Sequence, residues 1–164
     1  MKVNHIDIEE MRRLFCYDED TGQIIRAADA DDCYKNGGKC GTKSRQGYIV
    51  LGVKGKLYGA HRVVWAMFYG EQPTGQIDHI NGIRSDNRIE NLRDVPRHMN
   101  QQNQRKASKA NKLGLLGVSQ SGNGFVAVIH KAGKQKYLGI FPTKDEAHQA
   151  YLSAKREIHE GCTI

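Results

Sequence analysis

The chain has 164 residues and a formal net charge of +7, enough for one ordinary domain or two small ones. No apolar run approaches the ~18 residues of a membrane span. The charged start MKVNHIDIEEMRR lacks the apolar stretch of a signal peptide, so no membrane and a cytoplasmic location are expected, with a polyanion as the favoured partner of the basic surface.

In chain order, Ile8, Met11, Leu14 and Phe15 recur at helical spacing and predict a helix over 7–15. Residues 18–22 read as a turn, GQIIRA as a short strand, and the Asp-, Gly-, Lys- and Ser-rich residues 29–47 as a loop. Strands are predicted at 47–53 and 56–60 around a turn at Lys54-Gly55. HRVVWAMFYG then reads as a short helix with Val64, Trp65 and Phe68 packed inward and Gly70 ending it. Beyond the turn marked by Pro73 and Gly75, Ile77 is a candidate core residue at a strand that ends on Asp78 and His79. Asn81-Gly82 carries a two-residue hairpin signal, since both positions tolerate positive φ. Ile89 and Leu92 are the next apolar anchors, and Pro96 suits the first turn of a polar helix, PRHMNQQNQR. Further on, LGVSQ, GFVAVIH and KYLGIF read as three strands separated by the turns SGNG and KAGK. A last helix follows. Thr143 and Glu146 form its capping box, Ala147, Ala150, Tyr151, Ala154 and Ile158 its apolar face, and Gly161 its stop.

Charge is unevenly distributed. Residues 1–34 hold four basic against nine acidic side chains, whereas residues 93–136 hold nine basic against one acid, Asp94. The polar, cationic QQNQRKASKANKLG at 101–114 has almost nothing to bury, and reads as a solvated linker able to follow a phosphate backbone. The four cysteines, Cys16, Cys33, Cys40 and Cys162, include no C-x-x-C pair, so reduced thiols are expected and a structural zinc from Cys33, Cys40 and a histidine is not.

The stretch QIDHINGIRSDNRIEN at 76–91 is too polar to serve a core alone. Asp and Asn offer hard oxygen ligands suited to Mg²⁺ or a similar ion. A neutral His can accept a proton from water near neutral pH. Asn100 and Asn103, an i, i+3 pair on the following helix, add further polar positions. Together these are the parts for hydrolysing a phosphodiester. Neighbouring strand residues point to opposite faces. Asp78 and His79 can therefore share a site only where the chain bends, or at the strand's edge.

AHRVVWAMFYGEQPTGQIDHINGIRSDNRIENLRDVPRHMNQQN, residues 60–103, closely resembles the HNH endonuclease family in its phage and intron-encoded, homing branch. In that branch an H-R-x-x-W helix precedes a D-H-I-N/D-G segment and an N-R-I-E-N-L-R loop. The resemblance implies a ββα-metal fold, double-stranded DNA as partner, and cleavage dependent on Mg²⁺ or Mn²⁺; a phage-encoded chain would act in a bacterial host cell. It implies His79 as general base, Asp78 and Asn100 as metal ligands, and Asn91 as the residue that orients the loop and supports the histidine. Asn103 supports the metal site from behind. His61 and Arg62 match the family's H-R pair and are expected at phosphate, as are Arg84, Arg88, Arg105, Lys106 and Lys109.

GVSQSGNGFVAVIHKAGKQKYLGIFPTKDEAHQAY, residues 117–151, resembles the AP2 DNA-binding domain through its G-V start, Y-L-G-x-F strand and T-x-x-E-A helix start. This implies a sheet laid in the major groove, with Gln120, Phe125, His130, Lys136 and Tyr137 at the contacting positions. The arginines and tryptophans of the plant pattern are absent, which implies contacts dominated by phosphate rather than by bidentate base readout.

The expectation is an α+β chain in four parts: a strand-rich lead-in at 1–59, a ββα-metal HNH core at 60–105, a basic linker at 106–113, and a three-stranded antiparallel sheet packed on one helix at 114–164. No obligatory protein partner is evident. The rival readings are a non-catalytic DNA-binding regulator using the AP2-like sheet, and an RNA-binding protein.

Overall fold

The computed structural model describes residues 4–27 and 38–164, in two compact units, Met1–Pro96 and Arg97–Ile164. Cys33 and residues 29–37 of the expected loop at 29–47 lie outside the described residues.

The first unit starts with helix α1 (Ile8–Leu14), whose first turn is closed by the Asp7 carboxylate accepting from Glu10 N–H at 3.0 Å. The helix stops one residue earlier than its apolar spacing predicts. Phe15 is extended and opens strand β1 (Phe15–Asp18), which pairs antiparallel with β2 (Gln23–Arg26). β1 has no signal in the periodicity, because Phe15 fits the helical stripe and the strand equally well. A short β3 (Thr42–Lys43) joins β4 (Ile49–Val53) and β5 (Lys56–Gly59) in a second antiparallel sheet. Lys54 and Gly55 both take positive φ, the geometry of a tight hairpin turn that matches strand twist.

Helix α2 (Ala60–Tyr69) ends at Gly70, which is left-handed at φ 73. Its buried residues are Ala60, Val63, Val64 and Ala66. Of the expected inward stripe, Val64 is buried and Trp65 packs half-buried against this core, but Phe68 is corrected to exposed, because the inward face runs through 60, 63, 64 and 67. Met11, Phe15, Ile24, Leu51, Val53, Ile77 and Leu92 complete this core. The chain's acidic start thus contributes apolar side chains to the same core as α2. Gln72 fastens it further, accepting from Ile6 N–H at 3.2 Å and donating to the Ile6 carbonyl at 2.7 Å.

Strand β6 (Gln76–His79) pairs antiparallel with β7 (Leu92–Val95), with His79 opposite Leu92 and Asp78 opposite Arg93. The Asn81-Gly82 hairpin expectation is also corrected. Gly82 does turn the chain, at φ 74, but the partner strand begins only at Leu92, so residues 80–91 form the connection. Asn81 uses its side chain within that loop, accepting from Ile83 N–H at 2.8 Å and donating to Asp86 at 2.7 Å. This local bonding displaces a two-residue turn.

In the second unit, helix α3 (Arg97–Gln102) is shorter than the expected 96–105. The three expected strands are present as β8 (Val118–Ser121), β9 (Gly124–Lys131) and β10 (Lys134–Phe141), an antiparallel sheet with β9 central. Helix α4 (Lys144–Ile158) covers one face, with the Thr143 hydroxyl accepting from Glu146 N–H at 3.2 Å. Ala147, Tyr151 and Ala154 pack against Val118, Ala127 and Ile129. Gly117 lies directly beneath the Tyr151 ring, with positive φ and no room for a Cβ.

Candidate active site

The polar stretch of the first unit is folded inward rather than shed to solvent. Asp78, His79, Asn87 and Asn91 are all at most 6% exposed. Burial on this scale requires partners for every donor and acceptor, and the loop at 80–91 supplies many of them itself.

Asn91 closes that loop. Its amide oxygen accepts from Asn81 N–H at 2.9 Å and its amide nitrogen donates to the Asp86 carbonyl at 2.8 Å. Its own carbonyl accepts from Ile80 N–H at 2.9 Å. One side chain therefore ties the first, middle and last parts of the loop together. Asp86 is gripped by Arg88 through Nε and Nη2 at 2.9 and 2.8 Å, and Arg88 also reaches Glu90 at 3.0 Å. The Arg88 hydrogen bond holds the Asp86 carboxyl down at about 2, with the Asn81 bond helping.

His79 is the last residue of β6. Its Nε2 lies 3.2 Å from Asn87 Oδ1. An amide oxygen only accepts, so this contact puts the proton on Nε2 and the lone pair on Nδ1. Burial pushes the His79 imidazole below the ordinary value, opposed by the Asn87 bond and the nearby Asp78 charge. Two rings wall it in: His61 at 5.4 Å and Tyr48 at 5.8 Å between centroids. His61 is pushed down to about 3, mainly by burial and then by His79 and Arg62. His79 thus sits beside a neutral histidine rather than a competing cation. Arg84 stacks its guanidinium over Tyr48, 4.9 Å from the ring centre, and donates to the Gln46 carbonyl at 2.9 Å.

Asp78 issues from the opposite face of the β6–β7 pair, as strand alternation requires. Arg93, directly across the ladder, donates to its Oδ2 from Nε at 3.0 Å and Nη2 at 2.8 Å. Arg62 places its guanidinium on the carbonyls of Gly75 and Pro73, at 3.2 and 3.4 Å, where it braces the turn before β6.

The remaining expected residues belong to the second unit. Asn100 lies on α3, and Asn103, just beyond it, accepts from the Thr163 hydroxyl. Arg105 donates to the Thr163 carbonyl at 3.1 Å and to its hydroxyl at 2.9 Å, and Lys106 and Lys109 are exposed. Tyr137 pairs with Val128, and His130 with Gln135, on the sheet face away from α4. Gln120 and Lys136 are exposed at strand ends, while Phe125 packs into the core with Val118 and Ala147.

Sequence reasoning missed Asn87 and Tyr48. Asn87 is one of several polar residues in DNRIEN, and nothing in its spacing separates it from its neighbours. Tyr48 precedes a strand and looks like an ordinary β residue.

Among the described residues no group of three or more His, Cys, Asp or Glu could hold a metal ion. A set of one carboxylate, amide oxygens and waters is different in kind and suits a hard divalent ion. No described helix is long and apolar enough to cross a membrane. No curated protein and no solved structure matches the chain. Residues 58–102, which span α2, β6, the closed loop, β7 and α3, match the family model described as HNH endonuclease, and this supports reading the segment as an HNH nuclease domain.

Proposed function

We propose that this chain is a metal-dependent DNA endonuclease in which His79 takes the proton from the attacking water. The observation that supports this reading most directly is the buried His79 held by Asn87 within the segment that matches the HNH endonuclease model. With Nε2 protonated, Nδ1 accepts the water's proton. The loop tied by Asn91 keeps His79 at the end of β6, and burial favours the neutral imidazole there. Asp78 is the proposed ligand of Mg²⁺ or Mn²⁺ in the first unit. Bound there, the ion would polarise a phosphoryl oxygen and stabilise the departing alkoxide. Asp78 and His79 leave opposite faces of the hairpin, so a phosphodiester serving both is placed around the open end of β6.

The second unit is proposed to hold DNA through an AP2-like sheet. Its exposed face carries His130, Gln135 and Tyr137, with Lys131, Lys134 and Lys136 at the β9–β10 turn, and the stretch at 105–112 adds further cations. Such contacts serve the phosphate backbone. The phage or intron-homing setting rests on the sequence resemblance.

The test is a nicking assay on supercoiled plasmid with Mg²⁺, Mn²⁺ or chelator. His79→Ala should lower cleavage by roughly 10²–10⁴-fold while duplex binding stays near the parental level. Cleavage by the variant at the parental rate, or cleavage unaffected by chelator, would reject the mechanism. A protein that binds duplex DNA but never nicks it would be the regulator instead.

A further inference from the structure

The β1–β2 hairpin has no place in the chemistry just described, yet it touches the loop that carries Asn87. Tyr17 lies on β1. Its hydroxyl donates to the Asn87 carbonyl at 3.1 Å and accepts from Ile89 N–H at 2.9 Å. One phenol thus spans the backbone on both sides of Arg88. Burial raises the Tyr17 hydroxyl to about 12, so it stays a donor at any working pH. The turn of the same hairpin bears on the same backbone. Gly22, at φ 69, sits so close that a Cβ there would lie 2.8 Å from the Asn87 carbonyl carbon and closer still to the Arg88 nitrogen. Gly22 is itself fixed by donating to the Asp18 carbonyl at 2.9 Å. The hairpin therefore fixes the Asn87 main chain by two separate contacts, and Asn87 Oδ1 meets His79 Nε2.

We infer that the amino-terminal β1–β2 hairpin is a positioning element for His79, acting through Tyr17 and Gly22 on the Asn87 backbone and through the Asn87 amide on the imidazole tautomer. The inference rests on the reading of His79 as the base. Tyr17 and Asn87 touch neither water nor phosphate in this scheme; they decide which ring nitrogen carries the proton and where the other one points. Without the Asn87 acceptor, the imidazole loses the bond that favours the proton on Nε2, and the form with the proton on Nδ1 cannot take one from water there. Misplacement of a reacting group by about an ångström costs up to ~100-fold.

The experiment combines kinetics with nitrogen NMR of the full-length protein, the His79 signals being assigned by their loss in His79→Ala. Tyr17→Phe, Asn87→Ala and Asn87→Asp are compared with Ile24→Val, which trims the buried core side of the same hairpin without touching the loop. Asn87→Ala should shift the His79 nitrogens from the pattern of an Nε2-protonated ring toward a tautomer mixture. Asn87→Asp, which keeps an acceptor, should restore the parental pattern. Tyr17→Phe should move the pattern in the same direction as Asn87→Ala and lower kcat by roughly 10- to 100-fold with KM and duplex affinity unchanged. Ile24→Val should lower thermal stability and leave both readouts in place. An unchanged His79 pattern in both Tyr17→Phe and Asn87→Ala overturns the inference, as does an equal loss of kcat in Ile24→Val. If the parental protein cleaves no DNA, the nuclease reading fails, and the tautomer pattern alone still decides whether the hairpin sets His79.

Discussion

Arg93 faces Asp78 across the β6–β7 ladder and holds one carboxylate oxygen with two guanidinium nitrogens, at 3.0 and 2.8 Å. Both side chains are largely buried, at 23% and 8% exposure. Removing one partner of a buried pair costs more than the pair contributes, because the other charge is stranded. Arg93→Ala should therefore destabilise the fold by about 2–4 kcal/mol, while Asp78→Asn, which keeps an oxygen for Arg93, should cost about 1 kcal/mol. In urea unfolding the double variant should cost less than the sum of the singles. Strict additivity would show that the two groups do not interact. Asp78→Asn should also weaken Mg²⁺ binding measured by calorimetry, since the neutral amide is the poorer ligand.

His61 and His79 are both depressed by burial, His61 to about 3. In the unfolded chain each takes a proton near the ordinary value of 6.5, whereas the folded protein binds it only at lower pH. Between those values the unfolded state holds more protons, so stability falls with falling pH. It should be greatest above about 6.5 and decline from there toward 3, with each histidine contributing a slope of at most about 1.4 kcal/mol per pH unit. His61→Phe should flatten that decline by one histidine's share. Unfolding free energies measured from pH 7.5 to 4.5 that show the same slope in parent and variant would mean that His61 is not held neutral. Asp86, held at about 2 by Arg88, adds its own loss only below about 4, beneath the measured range of pH 7.5 to 4.5.

Asn91, itself buried, bonds Asn81 and Asp86 from one side chain, and both bonds are partly buried. Asn91→Leu is close in volume but leaves a donor and an acceptor unsatisfied, each at about 1–3 kcal/mol. The expected loss is about 2–4 kcal/mol with the midpoint of urea unfolding shifted and its slope retained. Asn91→Ser should recover part of it by keeping a small polar group. Equal stability of the leucine variant and the parent would show that the loop does not depend on this tie.

The legible and illegible parts of this chain divide along physical lines. Alternation gave β4, β5 and β9, and capping residues gave the end of α2 at Gly70 and the start of α4 at Thr143, because these depend on neighbours in the sequence, whereas α4 stops at Ile158, short of the expected Gly161. β1 was hidden, since Phe15 satisfies the helical stripe and its pairing with Arg26 is decided by a partner eleven residues on. Asn81-Gly82 signalled a hairpin that the loop overrode, because Asn91 and Asp86 bind the Asn81 amide and side chain more firmly than a two-residue turn would. Asp78, His79 and Asn91 could be named from their pattern. The side chain that bonds His79 could not, because Asn87 reaches it only after the loop folds back on β6. The contact of Tyr17 with that loop spans seventy residues and leaves no local trace.

If the second unit holds DNA as proposed, its exposed lysines should show this in salt dependence rather than in affinity at one salt concentration. Lys131, Lys134 and Lys136 are exposed at the β9–β10 turn and form no described ion pair. Each phosphate contact contributes about 0.9 to the slope of log K against log salt on duplex DNA. Replacing all three lysines with Gln should lower that slope by up to about 2.7 and leave the plasmid cleavage rate at saturating DNA unchanged. Tyr137→Ala, on the sheet face away from α4 and opposite to that of Lys136, should weaken binding by an amount that salt does not alter, because a ring packed on the backbone or a base releases no counterion. If the lysine variant keeps the parental slope, the cations that meet DNA lie elsewhere, and the stretch at 105–112 with Arg105, Lys106 and Lys109 is the next to substitute. If the tyrosine variant changes only the slope, its ring works through the charges around it and not by contact.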